Sequence, residues 1–425
     1  MFAVMARGCA SPVRVAHPQS LTLFRLSTLL VWLIGGLAAA ASEPDRALPA
    51  PIPAKLRELV DQQQISGGVV VVGRRNGIIS YDAVGLRDID AKLPMTKDTL
   101  FRIASMTKPV TAIGVMILVD EGKLSIEDPV ERHLPEFRGQ MLVAARNDDT
   151  LVLKKPARPI TVRDLLTHTS GVPLKYPEGV GSLRKTRGLT LAEAVMAISQ
   201  RPLEFEPGSK WEYCSPGIDT LGRIIEVASG LPYDRFVQQR IFAPLDMIDT
   251  TFFPNQQQRS RLAAVYQRRD GQLQAVPSGD SGPSTGSRYP SPAGGLYSTG
   301  ADLARLYRMM LHGGQLDGKR ILSEASVKAM TSLQTGDLVT RSPPGALGFG
   351  LGWFVVRRPE GWIEMFSPGA FGHGGALNTQ AWIDPQQDLF SILLIHRPDL
   401  SDSQAEAIRG AVQALALAAV KGSPQ

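Results

Sequence analysis

Ile103-Ala104-Ser105-Met106-Thr107-Lys108-Pro109 holds a serine and a lysine three residues apart at the head of a long apolar run. Val110, Ile113, Val115, Met116, Ile117 and Leu118 follow, and predict a helix to about Glu121 that stops at Gly122. Apolar on most faces, such a helix is expected to be buried. Pro109 falls in its first turn or so, where proline is tolerated. Residues three apart lie on one helix face, so the Lys108 ammonium reaches the Ser105 hydroxyl. A serine at a helix N-terminus also sets its backbone N–H where developing negative charge is favoured. Acyl transfer by a serine needs a base beside the hydroxyl and donors waiting for the oxyanion. The segment provides the first part, and a charged lysine at the mouth of so buried a helix needs a reason.

The spacing alone is weak, because Ser182-Leu183-Arg184-Lys185 has it too, in a Gly-flanked basic loop with no buried helix. Gly282-Pro283-Ser284-Thr285-Gly286 fits the nucleophile-elbow pattern but lacks the strand and helix that pattern requires. Gly279-Asp280-Ser281-Gly282 resembles a trypsin-like signature, yet no histidine has the small-residue setting such proteases use. Loop composition accounts for the last two.

Outward from the Ser105 helix, strands are predicted at both ends of the chain. Behind Pro44, Pro49, Pro51 and Pro53, Ala54 to Gln64 reads as an amphipathic helix. Gly67 to Val72 and Ile78 to Ala83 read as a hairpin turning at Gly73 to Gly77. Further strands are expected at Gly350 to Val356, Thr379 to Ile383 and Leu389 to Ile395, the last two joined by Asp384-Pro385-Gln386-Gln387-Asp388. Ala405 to Val420 forms a closing helix, with Gly422 after it. The expected class is α+β: an antiparallel β-sheet flanked by N- and C-terminal helices. Val162 to Leu166, Leu191 to Ser199 and Gly217 to Ala228 read as helices of an inserted, mostly helical subdomain, about 126–289, between sheet segments at about 50–125 and 290–425. Residues 254–293 read as a long polar surface loop, and Asp302 to His312 as a helix ended by Gly313-Gly314.

Residues 1–25 carry Arg7, Arg14 and Arg25 and no acid; an apolar run from Leu26 to Leu37 and the small residues Ala38 to Ala41 follow. This predicts a signal peptide at 1–41 and an exported chain, periplasmic or secreted, from residue 42. Membrane anchoring follows only if the segment stays uncleaved, and its apolar run falls short of the roughly 20 residues a span needs. Cys9 would leave with the leader, and Cys214 alone cannot form an internal disulfide. The histidines show no zinc-ligand spacing, so no metal or other cofactor is expected. The formal charge of +6 is modest and partly in the leader, and no basic cluster is interleaved with aromatics, so nucleic acid is not an expected partner.

Several downstream blocks keep Ser105 company. They are Leu165-Leu166-Thr167-His168-Thr169-Ser170-Gly171, Phe205-Glu206-Pro207-Gly208-Ser209-Lys210-Trp211-Glu212-Tyr213-Cys214-Ser215, Gly294-Gly295-Leu296-Tyr297-Ser298-Thr299, Gly350-Leu351-Gly352-Trp353 and Gly372-His373-Gly374-Gly375. In this order they resemble the class C β-lactamase and D-alanyl-D-alanine carboxypeptidase superfamily of serine hydrolases, including its carboxylesterase branch, over about residues 50–400.

The resemblance implies Ser105 as nucleophile, Lys108 as its proton partner and Tyr213 as the tyrosine that activates Ser105 and later the deacylating water. A tyrosine in water titrates near 10, so a phenol acting as a base needs a cation beside it. The backbone N–H groups of Ser105 and Ala376 correspond to the oxyanion hole, and Ser215, His373, Gly374 and Gly375 to substrate-binding positions. Two departures stand out. Ser215 replaces the lactamase asparagine, and His373-Gly374-Gly375 replaces Lys-Thr-Gly, where the lysine faces a substrate carboxylate. Both fit esterase and peptidase relatives better than an efficient lactamase. The expected activity is a carboxylesterase working through an acyl-enzyme on a small-molecule ester, amide or β-lactam. The alternatives are a D-Ala-D-Ala carboxypeptidase, a weak class C-like β-lactamase, or a slow-turnover penicillin- or muropeptide-binding sensor. His168 is expected to be structural, and Cys214 a packed small residue open to oxidative or alkylating inactivation. Trp211, Trp353, Trp362, Phe366 and Phe371 are candidates for an acyl pocket, although core packing accounts for each more simply.

Overall fold

Val69-Val70-Val71-Val72 are all buried, and four consecutive apolar residues in a strand mean that both its faces are covered. The computed structural model, which describes residues 51–180, 189–276, 289–340 and 345–422, bears this out. The Ser182, Ser281 and Ser284 motifs and the predicted signal peptide lie outside the described residues. Val69 and Val71 join a large core with Ile113 and Leu306. Val70 and Val72 point the other way, into a second core with Leu56, Ile408 and Val412.

The strand carrying these valines, β1 (Gly67–Arg74), lies inside an eight-stranded sheet. The others are β2 (Gly77–Asp88), β3 (Leu93–Pro94), β4 (Leu347–Phe349), β5 (Phe354–Val356), β6 (Phe371–Gly374), β7 (Gln380–Asp384) and β8 (Leu389–Leu394). The order is β4-β5-β6-β7-β8-β1-β2-β3, and every neighbouring pair is antiparallel. Val69 faces Leu394 across the junction where the two ends of the chain meet.

Helices α1 (Pro51–Asp61) and α6 (Asp402–Gly422) cover one face of the sheet. On the other face lies α5 (Gly300–Leu311), packed on β1 and β8. Helix α2 (Thr107–Asp120), buried at every position from Thr107 to Leu118, packs against α4 (Ser215–Ser229), and α4 against α3 (Leu191–Ser199). Local chemistry sets the helix starts: Thr190 and Glu193 form a reciprocal capping box at α3, and Thr161 and Asp164 do so at the short Val162–Leu166 helix. The architecture is the expected α+β arrangement.

Three elements differ from the sequence expectation. The run Gly350 to Val356 is not one strand but a turn and a strand. Gly350 N–H donates to the Trp353 carbonyl (2.8 Å), closing a hairpin between β4 and β5. At Gly352 (φ +82°) a β-carbon would lie 2.4 Å from that of Ala112, so the turn rests directly on α2. The polar stretch 254–293 is partly ordered into a helix, Gln256–Arg259, and a hairpin, Tyr266–Arg269 with Gln272–Ala275. Its far end plunges inward, with Tyr289 and Ala293 each 4% exposed. The closing helix contains Gly422 as its last residue, with no stop before it.

Candidate active site

Ser105 stands on a single turn of 3-10 helix, Ala104–Met106, that leads into α2. Ala104 has φ +46°, a left-handed conformation that costs a non-glycine residue about 1 kcal/mol or more. The surroundings enforce it. Thr107 Oγ1 donates to the Ala104 carbonyl (2.7 Å) and accepts from Leu296 N–H (3.2 Å), while Ile103 N–H donates to the Leu296 carbonyl (3.0 Å). The end of β6 closes against the same turn. A β-carbon on Gly375 would fall 2.5 Å from the Ile103 carbonyl oxygen and 2.3 Å from Thr379 Oγ1, so only glycine permits this approach.

Lys108, one helical turn on, is fully buried. Its Nζ donates to Ser105 Oγ (3.0 Å) and to the Ala293 carbonyl (2.6 Å), and stands 4.7 Å from the centre of the Tyr213 ring. The Ala293 peptide is held from its other side, because its N–H donates to Asp219 Oδ1 (3.0 Å). Asp219, on α4, also accepts from the hydroxyls of Tyr176 and Tyr289. A buried carboxylate thus fixes the carbonyl that holds Lys108. A charged residue among Ile218, Leu221, Ile224 and Ile225 was the one trace of it in the sequence.

Tyr213 is half-buried in the stretch just before α4. Its ring lies nearly parallel to Phe354 (13°, 6.4 Å between centres), with His373 at 6.1 Å and His168 at 4.6 Å. Cys214 beside it is 2% exposed; its Sγ accepts from Gly217 N–H (3.3 Å) and donates to the Val172 carbonyl (3.3 Å). Burial pushes its thiol up to about 12, leaving little thiolate to react. Cys214 is the packed small residue expected from the sequence, and its Sγ caps a helix.

Ser105, Tyr213, His373, Gly374, Gly375 and Ala376 line one cleft of about 470 Å³. Both backbone positions assigned to the oxyanion hole, Ser105 and Ala376, are on its wall. His373 is buried, its Nδ1–H donating to the Gly374 carbonyl (2.7 Å). Ser215 is not part of the cleft wall, being the first residue of α4. Of the five aromatic candidates only Trp362 lines the cleft. Trp353 packs between Tyr307 and Phe371, Phe366 stacks on Trp382, and Trp211 lies beside His168 and Tyr213. Sequence reading missed the apolar wall formed by Leu347, Phe354 and Trp382, which three separate strands deliver. Among the described residues, no cluster of three His, Cys, Asp or Glu side chains could hold a metal ion.

The family model described as Beta-lactamase matches residues 52–416. Protein Rv1367c of Mycobacterium tuberculosis is 38% identical over 376 residues, covering 84% of this chain and 92% of that protein. Esterase EstB of Burkholderia gladioli is 31% identical over 396 residues, covering 87% of this chain and 96% of that protein. Among solved structures, EstCE1, a hydrolase with promiscuous acyltransferase activity, superposes with a TM-score of 0.70 at 25% identity, covering 84% of this chain and 96% of that one.

Proposed function

The chain belongs to the Beta-lactamase family, and from that premise we propose that it is a carboxylesterase whose acyl-enzyme forms on Ser105. The observation that carries this reading is the position of Lys108 Nζ, 3.0 Å from Ser105 Oγ and 4.7 Å from the Tyr213 ring centre. One buried cation serves both the nucleophile and the phenol. In the proposed first step Tyr213 takes the Ser105 hydroxyl proton as Oγ bonds to the ester carbonyl carbon. The oxyanion accepts from the N–H groups of Ser105 and Ala376, each worth roughly a hundred- to a thousand-fold in rate. Collapse breaks the bond to the alkoxide, which leaves as the alcohol with the proton from Tyr213. A water then attacks the acyl carbon, Tyr213 takes its proton and passes it to Ser105 Oγ, and the carboxylic acid departs.

Two features favour an ester over a β-lactam. His373-Gly374-Gly375 gives the cleft wall a buried imidazole where a carboxylate-binding lysine would stand, and the similar EstB is an esterase by name. The cleft also offers apolar surface at Leu347, Phe354 and Trp382, suited to an acyl or alkyl group. Export, supported by the apolar run Leu26 to Leu37 and Ala38 to Ala41, belongs to the same proposal.

The test is steady-state hydrolysis by residues 42–425 of p-nitrophenyl butyrate against a chromogenic cephalosporin, with Ser105→Ala as control. The expected outcome is ester turnover with the higher kcat/KM, abolished in Ser105→Ala and kept in Ser182→Ala and Ser284→Ala. Preferential cephalosporin cleavage would overturn the esterase assignment, and an inactive Ser284→Ala enzyme the nucleophile assignment.

A further inference from the structure

His168 takes no part in the mechanism above, yet the site is built around it. It is 1% exposed and has φ +61°, in the left-handed region that side chains other than glycine seldom occupy. Strained backbone of this kind persists where the surroundings over-determine it, and it gathers at functional sites. Two hydrogen bonds join His168 to the segment carrying Tyr213. Glu212 N–H donates to the His168 carbonyl (2.9 Å), and Cys214 N–H donates to His168 Nδ1 (3.0 Å). The imidazole ring lies 4.6 Å from the Tyr213 ring and 4.9 Å from that of Phe349 on β4. Residues 211–214 belong to neither helix nor strand, so regular secondary structure does not hold Tyr213 in place.

We propose that His168 is a positioning residue for Tyr213, gripping the N–H groups of the residues on both sides of it, Glu212 and Cys214, and packing its ring. The inference rests on Tyr213 carrying the proton transfers proposed above. Its chemical requirement is specific: Nδ1 accepts a backbone N–H, so the working imidazole carries no proton there. A left-handed backbone brings the carbonyl and this nitrogen to bear on one short segment. The structural role expected from the sequence thereby becomes a role in aligning the proton acceptor, whose displacement by about 1 Å is enough to cost about a hundred-fold in rate.

The substitutions that separate this from simple packing follow from atom positions. His168→Asn returns an acceptor oxygen close to the place of Nδ1 and tolerates a left-handed backbone. His168→Gln moves its amide one bond outward, to the place of Nε2, and His168→Ala removes the acceptor. With p-nitrophenyl butyrate, kcat should fall about a hundred-fold in the Gln and Ala variants, with KM within about twofold. The Asn variant should recover to within about tenfold of wild type. In a Tyr213→Phe background, His168→Gln should cause no further loss. Thermal unfolding identifies variants that fold, and if Ala does not, the Asn–Gln pair decides alone. Gln at full kcat, or Asn no better than Gln, would overturn the proposal. A fully active Tyr213→Phe enzyme would instead overturn the reading of Tyr213 on which it rests.

Discussion

Lys108 is fully buried, so its charge is tolerable only because each neighbour around Nζ is fixed. Ser105 Oγ, the Ala293 carbonyl and the Tyr213 ring provide that setting, and Asp219 holds the Ala293 peptide. Replacing Asp219 by alanine removes an acceptor from the hydroxyls of Tyr176 and Tyr289 and takes away the partner of the buried Ala293 N–H. At about 1–3 kcal/mol for a buried group left unpaired, chemical denaturation should show Asp219→Ala destabilised by about 1–3 kcal/mol. Its kcat should fall roughly tenfold as the carbonyl facing Lys108 loosens. An unchanged unfolding midpoint would refute the account. The pairing of Ser105 with Lys108 was legible because helix geometry turns a spacing of three into contact. Asp219 was not, since Tyr176, Tyr289 and Ala293 reach it from distant parts of the chain. Tyr213 and His373 needed the ordered set of motifs, because a lone tyrosine or histidine carries no positional information.

The element that aligns the cleft is the end of β6, and Gly375 governs how closely it approaches the Ser105 turn. Gly375→Ala puts a carbon 2.5 Å from the Ile103 carbonyl oxygen, and relief requires the strand end to back away. Overpacking of this sort costs about 1–3 kcal/mol. Steady-state kinetics should show kcat lowered by about tenfold to a hundred-fold, because Ala376 moves with the strand, with a lower Tm alongside. Full activity in this variant would mean that the β6 end has slack. Elements with a clean period were readable: β1, β2, β7 and β8 emerged from apolar runs between turn residues. The Gly350 to Val356 run misled because its apolar residues continue through a turn, and only Gly352, seated on Ala112, marks the break. The 254–293 stretch misled because its average polarity hides Tyr289 and Ala293, both bonded to Asp219, with the Ala293 carbonyl holding Lys108.

At the scale of the whole molecule, His396 ties the end of the sheet to the segments around Arg102 and Ala263. Its Nε2 stands 3.1 Å from the Arg102 nitrogen and 3.2 Å from the Arg102 carbonyl oxygen, and its Nδ1 3.1 Å from the Ala263 carbonyl oxygen. Burial lowers its pKa to about 4 from the ordinary 6.5. The unfolded chain therefore binds this proton first as pH falls, and stability from the neutral ring is full above about 6.5 and lost progressively towards about 4. The loss amounts to about 3 kcal/mol over that window. Urea unfolding at several pH values should show the wild type approaching His396→Gln in stability on acidification; a constant gap would contradict it. The layered α+β plan was legible from strands at both ends of the chain, but their meeting at Val69 and Leu394 is a pairing that no local pattern encodes. That junction also sets the order of events when the protein is made. A ribosome releases Ser105, Lys108 and Tyr213 long before β6, β7 and β8, and the valines of β1, paired with β2 on one side, wait without β8 on the other until nearly the whole chain has emerged. Long-range closure of this kind is slow, so on the proposed roles an incomplete chain carries Ser105 without Ala376 opposite it, and the cleft is whole only once the last strands are laid down.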